Sequence, residues 1–311
     1  MSNRAEGNIV NQYAILLTAM TIGRIKDLIM KTAFVTGAGG YIGKHVVEEL
    51  SKRSVHVIGA DLAVPQGQSA CQFIEADIFD DSFDVVAACG GILPDVCVHL
   101  AWRNGFNHKS ETHMDDLPKH LHFLEKVIDA GVPHVSAMGT MHEVGYWEGP
   151  IDENTSCNPI NLYGISKNAL RQAFLMKCRE TGTFGQWLRA FYIYGDDTRS
   201  QSIFGKIARA ALDGEKHFPL NSGKNEYDFI EINELARQIA VCALSDSVDG
   251  IINCCSGKPV PLGKKIEDYI AAKGYDIALD YGAFPDRPCD SPGVWGNADK
   301  INQILAQAGA H

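Results

Sequence analysis

The sequence predicts an α/β fold, a doubly wound parallel sheet with a smaller C-terminal lobe, and three observations predict it. From Lys31 to Gly195, short apolar runs alternate with stretches whose apolar residues recur at helical spacing, which is the pattern of parallel βαβ units. A glycine cluster, TGAGGYIG (Thr36 to Gly43), falls between the first run and the first helical stretch. Beyond Gly195 the pattern becomes mixed and richer in Gly and Pro, which marks a second lobe interleaved with the first.

Along the chain, TAFVT (Thr32 to Thr36) is a short buried strand, and residues 41–53 form a helix with Ile42, Val46, Val47 and Leu50 on one face. VHVIGAD (Val55 to Asp61), CQFIEAD (Cys71 to Asp77), DVCVHLA (Asp95 to Ala101) and VPHVSAM (Val132 to Met138) are the next four strands. Helical stretches lie between them near Ser82 to Ala88 and Glu111 to Ala130. A long helix over Asn161 to Thr181 precedes GQWLRAFYIYG (Gly185 to Gly195), read as one further strand. The longest apolar run, Asn8 to Gly23, is interrupted by Asn11, Gln12 and two threonines. It therefore falls short of the ~20 apolar residues of a membrane-spanning helix, and no basic start or small-residue cleavage site marks it as a signal peptide. Residues 1–30 are read as an N-terminal extension, non-native or loosely attached, with Met30 as a natural start; an amphipathic helix packed on the fold or on a partner is the rival reading.

Composition narrows the classes of function. The chain has 311 residues, long enough for a large core and about two domains. It carries 28 basic against 38 acidic residues, a net charge of −10. That balance disfavours nucleic acid and an anionic membrane surface as partners. Nine scattered cysteines with no CxxC pair read as reduced thiols of a cytoplasmic protein, and no histidine spacing suggests a metal.

The glycine cluster has the spacing GxxGxxG at Gly37, Gly40 and Gly43 and opens a helix. Such glycines permit a tight turn, a close backbone approach to a pyrophosphate and close helix–strand packing, while the helix amides face the phosphates. Gly37, Gly40, Tyr41, Ile42 and Gly43 are thus expected to hold a dinucleotide on a Rossmann-type lobe. Asp61 ends the second strand 18 residues past Gly43. An acid there accepts a ribose 2′-hydroxyl and repels a 2′-phosphate, so NAD is expected rather than NADP. Asp77, with Ile78 beside it, ends the third strand and either faces the adenine or caps a turn. Residues 31–195 would be mainly this NAD-binding lobe, and 196–311 mainly the substrate-binding lobe.

YGISK (Tyr163 to Lys167) begins the long helix with Tyr and Lys at i and i+4, on one face. A Lys ammonium one turn from a phenol favours the phenolate, bringing an ordinary pKa of ~10 toward the useful range for a general base. With these motifs in order, the chain resembles an extended short-chain dehydrogenase/reductase of the NAD-dependent epimerase/dehydratase family, over about Lys31 to Ala308. HLAW (His99 to Trp102), NEYDFIEINELA (Asn225 to Ala236) and INCCSGKPV (Ile252 to Val260) carry the resemblance further. It implies that Leu100 and Ala101 wall the cofactor, that Trp102 and Asn161 line the substrate pocket, and that Thr140, Tyr163 and Lys167 are catalytic, with Tyr163 and Lys167 also binding the cofactor. Thr140 stands five residues before Gly145, as in the family pattern, with Ser136 as the alternative.

The resemblance also bears on the reaction. Family dehydratases carry an acid next to the threonine or two residues after it; here Met141 and His142 stand there, with Glu143 one step on. His142 and Glu143 are the candidates for a second acid/base, and the stretch leans toward nucleotide-sugar ketoreductases. Arg287 matches the late arginine that grips a nucleotide diphosphate, whereas Tyr227 replaces an arginine the family often has. Arg189 reads as structural, and Arg103, Asn104 and His108 are unranked pocket candidates. An NAD(P)-dependent epimerase or 4-ketoreductase of a nucleotide-linked sugar, acting as a homodimer, is expected. A reductase or dehydrogenase of a non-nucleotide carbonyl or alcohol is the first alternative, and a non-catalytic NAD-binding sensor or scaffold the second.

Overall fold

The computed structural model describes residues 30–64, 70–195, 201–287 and 290–309. The expectations for the N-terminal extension, apart from Met30, and the thiol of Cys289 lie outside the described residues.

The first half of the chain runs β1 (Thr32–Thr36), α1 (Gly43–Lys52), β2 (His56–Asp61), β3 (Gln72–Glu75), the one-turn α2 (Val85–Ala88), β4 (Val96–His99), α3 (Thr112–Asp129) and β5 (His134–Thr140). A 3-10 turn (Met141–Glu143) then leads to β6 (Gly149–Ile151), α4 (Leu162–Thr181), β7 (Phe184–Ala190) and β8 (Tyr192–Tyr194). The remainder is α5 (Ile203–Leu212), β9 (His217–Pro219), β10 (Glu226–Glu231), α6 (Ile232–Leu244), β11 (Gly250–Cys254), β12 (Pro259–Pro261), α7 (Leu262–Lys273), β13 (Ala278–Asp280), β14 (Gly293–Gly296) and α8 (Asp299–Gly309).

Seven strands form one parallel sheet in the order β11-β7-β5-β4-β1-β2-β3. Strand alternation sends successive side chains to opposite faces, and both faces are covered. Ala33, Val35, Val96, Val98 and Leu188 pack with Val46, Val47 and Leu50 of α1 and with Leu235, Ala236 and Ile239 of α6. Phe34, Ile58, Cys97 and Trp187 pack on the other face with Phe123, Leu124 and Val127 of α3 and Leu170 and Phe174 of α4. Helix α1 buries Val46, Val47 and Leu50 as its spacing predicts, while Ile42 sits at its N-cap.

A second sheet, β12-β10-β14-β6 with β8 paired to β10, draws on segments from both halves of the chain, and β11 returns to the first sheet. The run Gly185 to Gly195 is therefore two strands rather than the one predicted. Arg189 and Ala190 pair with β5 and β11, whereas Tyr192 to Tyr194 pair with Phe229 to Glu231 of β10. Phe191 is the pivot; its ring is drawn into a third apolar cluster with Met141, Ile151, Phe204, Tyr227 and Phe229 beneath the second sheet. Among the described residues no helix is long and apolar enough to cross a membrane.

Candidate functional site

A cleft of about 1290 Å³ runs along the C-terminal ends of β1, β2, β4 and β5 and on to the second sheet. The carboxyl ends of parallel strands are where doubly wound sheets place ligands. At one end Gly37, Gly40, Tyr41, Ile42 and Gly43 line it. Gly37 holds φ at +65°, and a Cβ there would stand 2.7 Å from the Ala101 nitrogen. A Cβ on Gly43 would stand 2.0 Å from the Gly37 carbonyl oxygen, so the helix can start this close only without a side chain. No side chain caps α1, which leaves its first turn to the cleft.

Asp61, Asp77, Ile78, Leu100, Ala101 and Trp102 also line this end. The Asp61 carboxylate accepts one amide bond from Gly39 (3.0 Å) and one from Leu62 (2.8 Å). It is thereby held beside the glycine turn with lone pairs to spare for a ribose hydroxyl. Asp77 accepts from the Phe79 amide (2.9 Å), so it shapes a turn while bordering the cleft. These residues fit a dinucleotide: a turn closed to any Cβ, an uncapped helix start and a fixed carboxylate. Replacing Asp61 by Ala is expected to weaken NAD more than NADP, and titration of both nucleotides checks it; an unchanged preference would remove Asp61 from cofactor choice.

Thr140, His142, Tyr163 and Lys167 meet farther along the same cleft. Thr140 ends β5, and its hydroxyl accepts from the His142 amide (3.3 Å). Tyr163 enters from the first turn of α4, whose N-cap Asn161 accepts from the Gly164 amide (2.9 Å). Burial pushes the Tyr163 phenol well above its ordinary pKa, and a hydrogen bond from Thr140 pulls it back. Burial brings the Lys167 ammonium down to about 7, opposed by the carboxylate of Glu143. Lys167 donates to the Met138 carbonyl (2.6 Å) and lies 3.8 Å from the centre of the Trp102 ring. His108 stacks on Tyr163 (5.1 Å between centroids, 13° between planes) and stands 4.2 Å from His142. Burial, with His108 nearby, takes His142 down to about 3, so its ring is neutral near pH 7.

Glu143, the other candidate acid, is not brought into the cleft. Its side chain is fully buried behind Thr140, where one oxygen accepts from the Thr140 amide (2.7 Å) and the Trp187 indole (2.8 Å). Its other oxygen stands 3.6 Å from both Arg171 and Arg189. Two hydrogen-bond donors and two positive charges draw it inward, a pull that a string of residue types does not display. Ser136 is excluded from the site as well: it is buried within β5 and donates to Gln186 (2.9 Å).

At the far end, Arg287 lines the cleft, exposed and with no ion pair among the described residues. Tyr227 also lines it, its ring 4.4 Å from that of Tyr192. Arg103 borders the cleft but is fastened to Asp116 by two hydrogen bonds. His120 is a lining residue that sequence reasoning missed, because a histidine among the apolar positions of α3 carries no distinguishing signal.

The profile of the NAD dependent epimerase/dehydratase family matches residues 33–255. The chain belongs to that family. Among the relatives of this epimerase/dehydratase-family protein is the dTDP-6-deoxy-L-talose 4-dehydrogenase (NAD(+)) of Aggregatibacter actinomycetemcomitans. The two are 43% identical over 270 residues, 84% of this chain and 98% of that protein. The fold is shared with the UDP-N-acetylglucosamine 4-epimerase from Methanobrevibacter ruminantium in complex with UDP-N-acetylmuramic acid. That match has a TM-score of 0.75 at 21% identity, over 88% of this chain and 92% of that one. The UDP-glucose 4-epimerase of Thermus thermophilus in complex with NAD matches at a TM-score of 0.71 and 22% identity, over 89% of this chain and 93% of that one.

Proposed function

We propose that this chain is an NAD-dependent dehydrogenase, or in reverse a ketoreductase, acting at C4 of a nucleoside-diphosphate 6-deoxyhexose. The observation that carries the reading is the single continuous cleft, which joins a dinucleotide-type glycine turn to Thr140, Tyr163 and Lys167 and then to Arg287. The 43% identity to a dTDP-6-deoxy-L-talose 4-dehydrogenase supports the sugar, the position and the nucleotide class. The seven-stranded sheet serves as the cofactor lobe and the second sheet as the substrate lobe. Arg287, exposed and unpaired among the described residues, is suited to a diphosphate through its bidentate fork.

NAD, when bound, would supply the hydride chemistry and, in its oxidised form, a positive charge. Tyr163 takes the proton from the C4 hydroxyl in oxidation and returns it in reduction. Thr140 holds the same oxygen, its hydrogen bond to Tyr163 favours the phenolate, and the charges of Lys167 and oxidised NAD would further offset the burial that raises the phenol. The family's dehydratases carry an acid next to this threonine or two residues after it. Met141 supplies none, His142 is neutral and Glu143 faces the interior, so redox chemistry at one carbon is favoured over dehydration. Exposed Met114, Ile165 and Met176 on α3 and α4 support a homodimer through these helices, and the free thiols support a cytoplasmic location.

Net NADH formation from a dTDP-6-deoxyhexose, and NADH consumption with the matching 4-keto sugar, are expected in a spectrophotometric assay with purified protein. Interconversion of C4 epimers with no net change in NADH would make the chain an epimerase. Turnover confined to carbonyls or alcohols without a nucleotide would overturn the substrate class.

A further inference from the structure

Thr36, at the end of β1, anchors a chain of three hydrogen-bonding side chains that leads back into the cleft. Its hydroxyl accepts from the amide of Ala101 (3.3 Å) and shares that of Leu100 (3.2 Å) with the Thr36 carbonyl oxygen, also at 3.2 Å. A hydroxyl has two acceptor positions and one proton, and the arrangement that serves both amides turns that proton to His99 Nδ1 at 2.8 Å. The reverse direction would aim three donors at one oxygen. Burial, with Lys167 nearby, holds His99 down to about 3, so the ring is neutral and its proton is on Nε2. That nitrogen lies 2.8 Å from His120 Nδ1 and in this tautomer is the donor of the pair. His120 is likewise held neutral, by burial and by the charges of its neighbours. Its own proton therefore sits on Nε2. His120 is 2% exposed, stacks on Trp102 (4.3 Å, 14°), receives the edge of Phe79 at 4.7 Å and borders the cleft. Among the described residues no hydrogen-bond partner stands at its Nε2, on a ring that borders the cleft.

We propose that His120 is a cofactor-binding residue whose Nε2–H donates to an acceptor oxygen of the bound dinucleotide, and that Thr36 and His99 are positioning residues that set its tautomer. The proposal rests on the reading that this cleft holds NAD. A donor in the cleft wall with its direction fixed in advance favours a ligand that brings an acceptor to it over one that does not. The relay explains why a buried threonine and two buried histidines stand in line beneath a dinucleotide-type turn.

Two measurements on the purified full chain test it. In the ligand-free protein, 15N spectra of the imidazoles are expected to show His99 and His120 each protonated on Nε2 and bare on Nδ1. In calorimetric titrations, His120→Phe, which keeps the stacking ring and loses the donor, is expected to bind NAD roughly 2- to 10-fold more weakly than wild type. His120→Gln restores a donor and should recover part of the loss. His99→Phe, which touches nothing in the cleft, should release the His120 tautomer in the same spectra and weaken NAD to a smaller extent. Wild-type protein that takes up no NAD overturns the reading of the cleft, and this proposal with it. Wild type that binds NAD beside a folded His120→Phe of equal affinity, or a His120 protonated on Nδ1, overturns this proposal alone.

Discussion

Tyr163→Phe is expected to lower kcat by about 10²- to 10⁴-fold, the range supplied by a positioned proton-transfer group, while leaving NAD affinity at its wild-type value. In the proposed function the phenol holds the substrate's proton. Thr140 hydrogen-bonds it, and Lys167 follows one helical turn later. Its ring stacks on His108 and stands 5.2 Å from His113 and 6.0 Å from Trp102. Phenylalanine keeps those contacts, so the loss should fall on kcat rather than on folding. Steady-state kinetics with nucleotide titration would check both halves. Near-full activity of the variant would mean that another group moves the proton and that the Tyr–Lys pair is incidental.

The second large effect is on stability. Glu143→Ala should destabilise the fold by about 3–5 kcal/mol, the usual consequence of removing one partner from a buried charge cluster, and lower Tm by roughly 10 °C. The change strands the fully buried Arg189 and removes the acceptor for both the Thr140 amide and the Trp187 indole. Glu143→Gln keeps that acceptor and loses only the charge, so it should fall between the two in thermal melts. If the Gln variant melted like wild type yet had no activity, Glu143 would belong to the chemistry after all.

These two residues show where the sequence is readable. Tyr163 and Lys167 sit at a fixed helical interval, and Gly37, Gly40 and Gly43 at a fixed loop interval, so spacing alone brings each set together. Apolar periodicity likewise placed α1 and the parallel strands, because both faces of the sheet's central strands are buried and those runs are mostly apolar. Periodicity could not show that Gly185 to Gly195 changes sheets at Phe191, since both halves are apolar and the break depends on partners distant in the chain. Nor could it show the direction of Glu143, which is set by Arg171 and Arg189, or the line from Thr36 through His99 to His120, whose members come from three separate elements. Interactions across long sequence separations decide these features, and a linear pattern does not record them.

Asp61 carries a last consequence, which concerns entropy. Both of its oxygens are held by backbone amides in the ligand-free chain. A side chain already confined to one rotamer gives up no further freedom when a ribose arrives, whereas ordering a mobile one costs about 0.5–1.5 kcal/mol. A nucleotide preference set by Asp61, as proposed, would therefore be built in during folding, before any ligand is met. The same amide of Gly39 ties that preference to the shape of the glycine turn. Converting the protein to NADP use should accordingly require a new partner for that amide as well as a cation for the 2′-phosphate, so that no single replacement at Asp61 suffices.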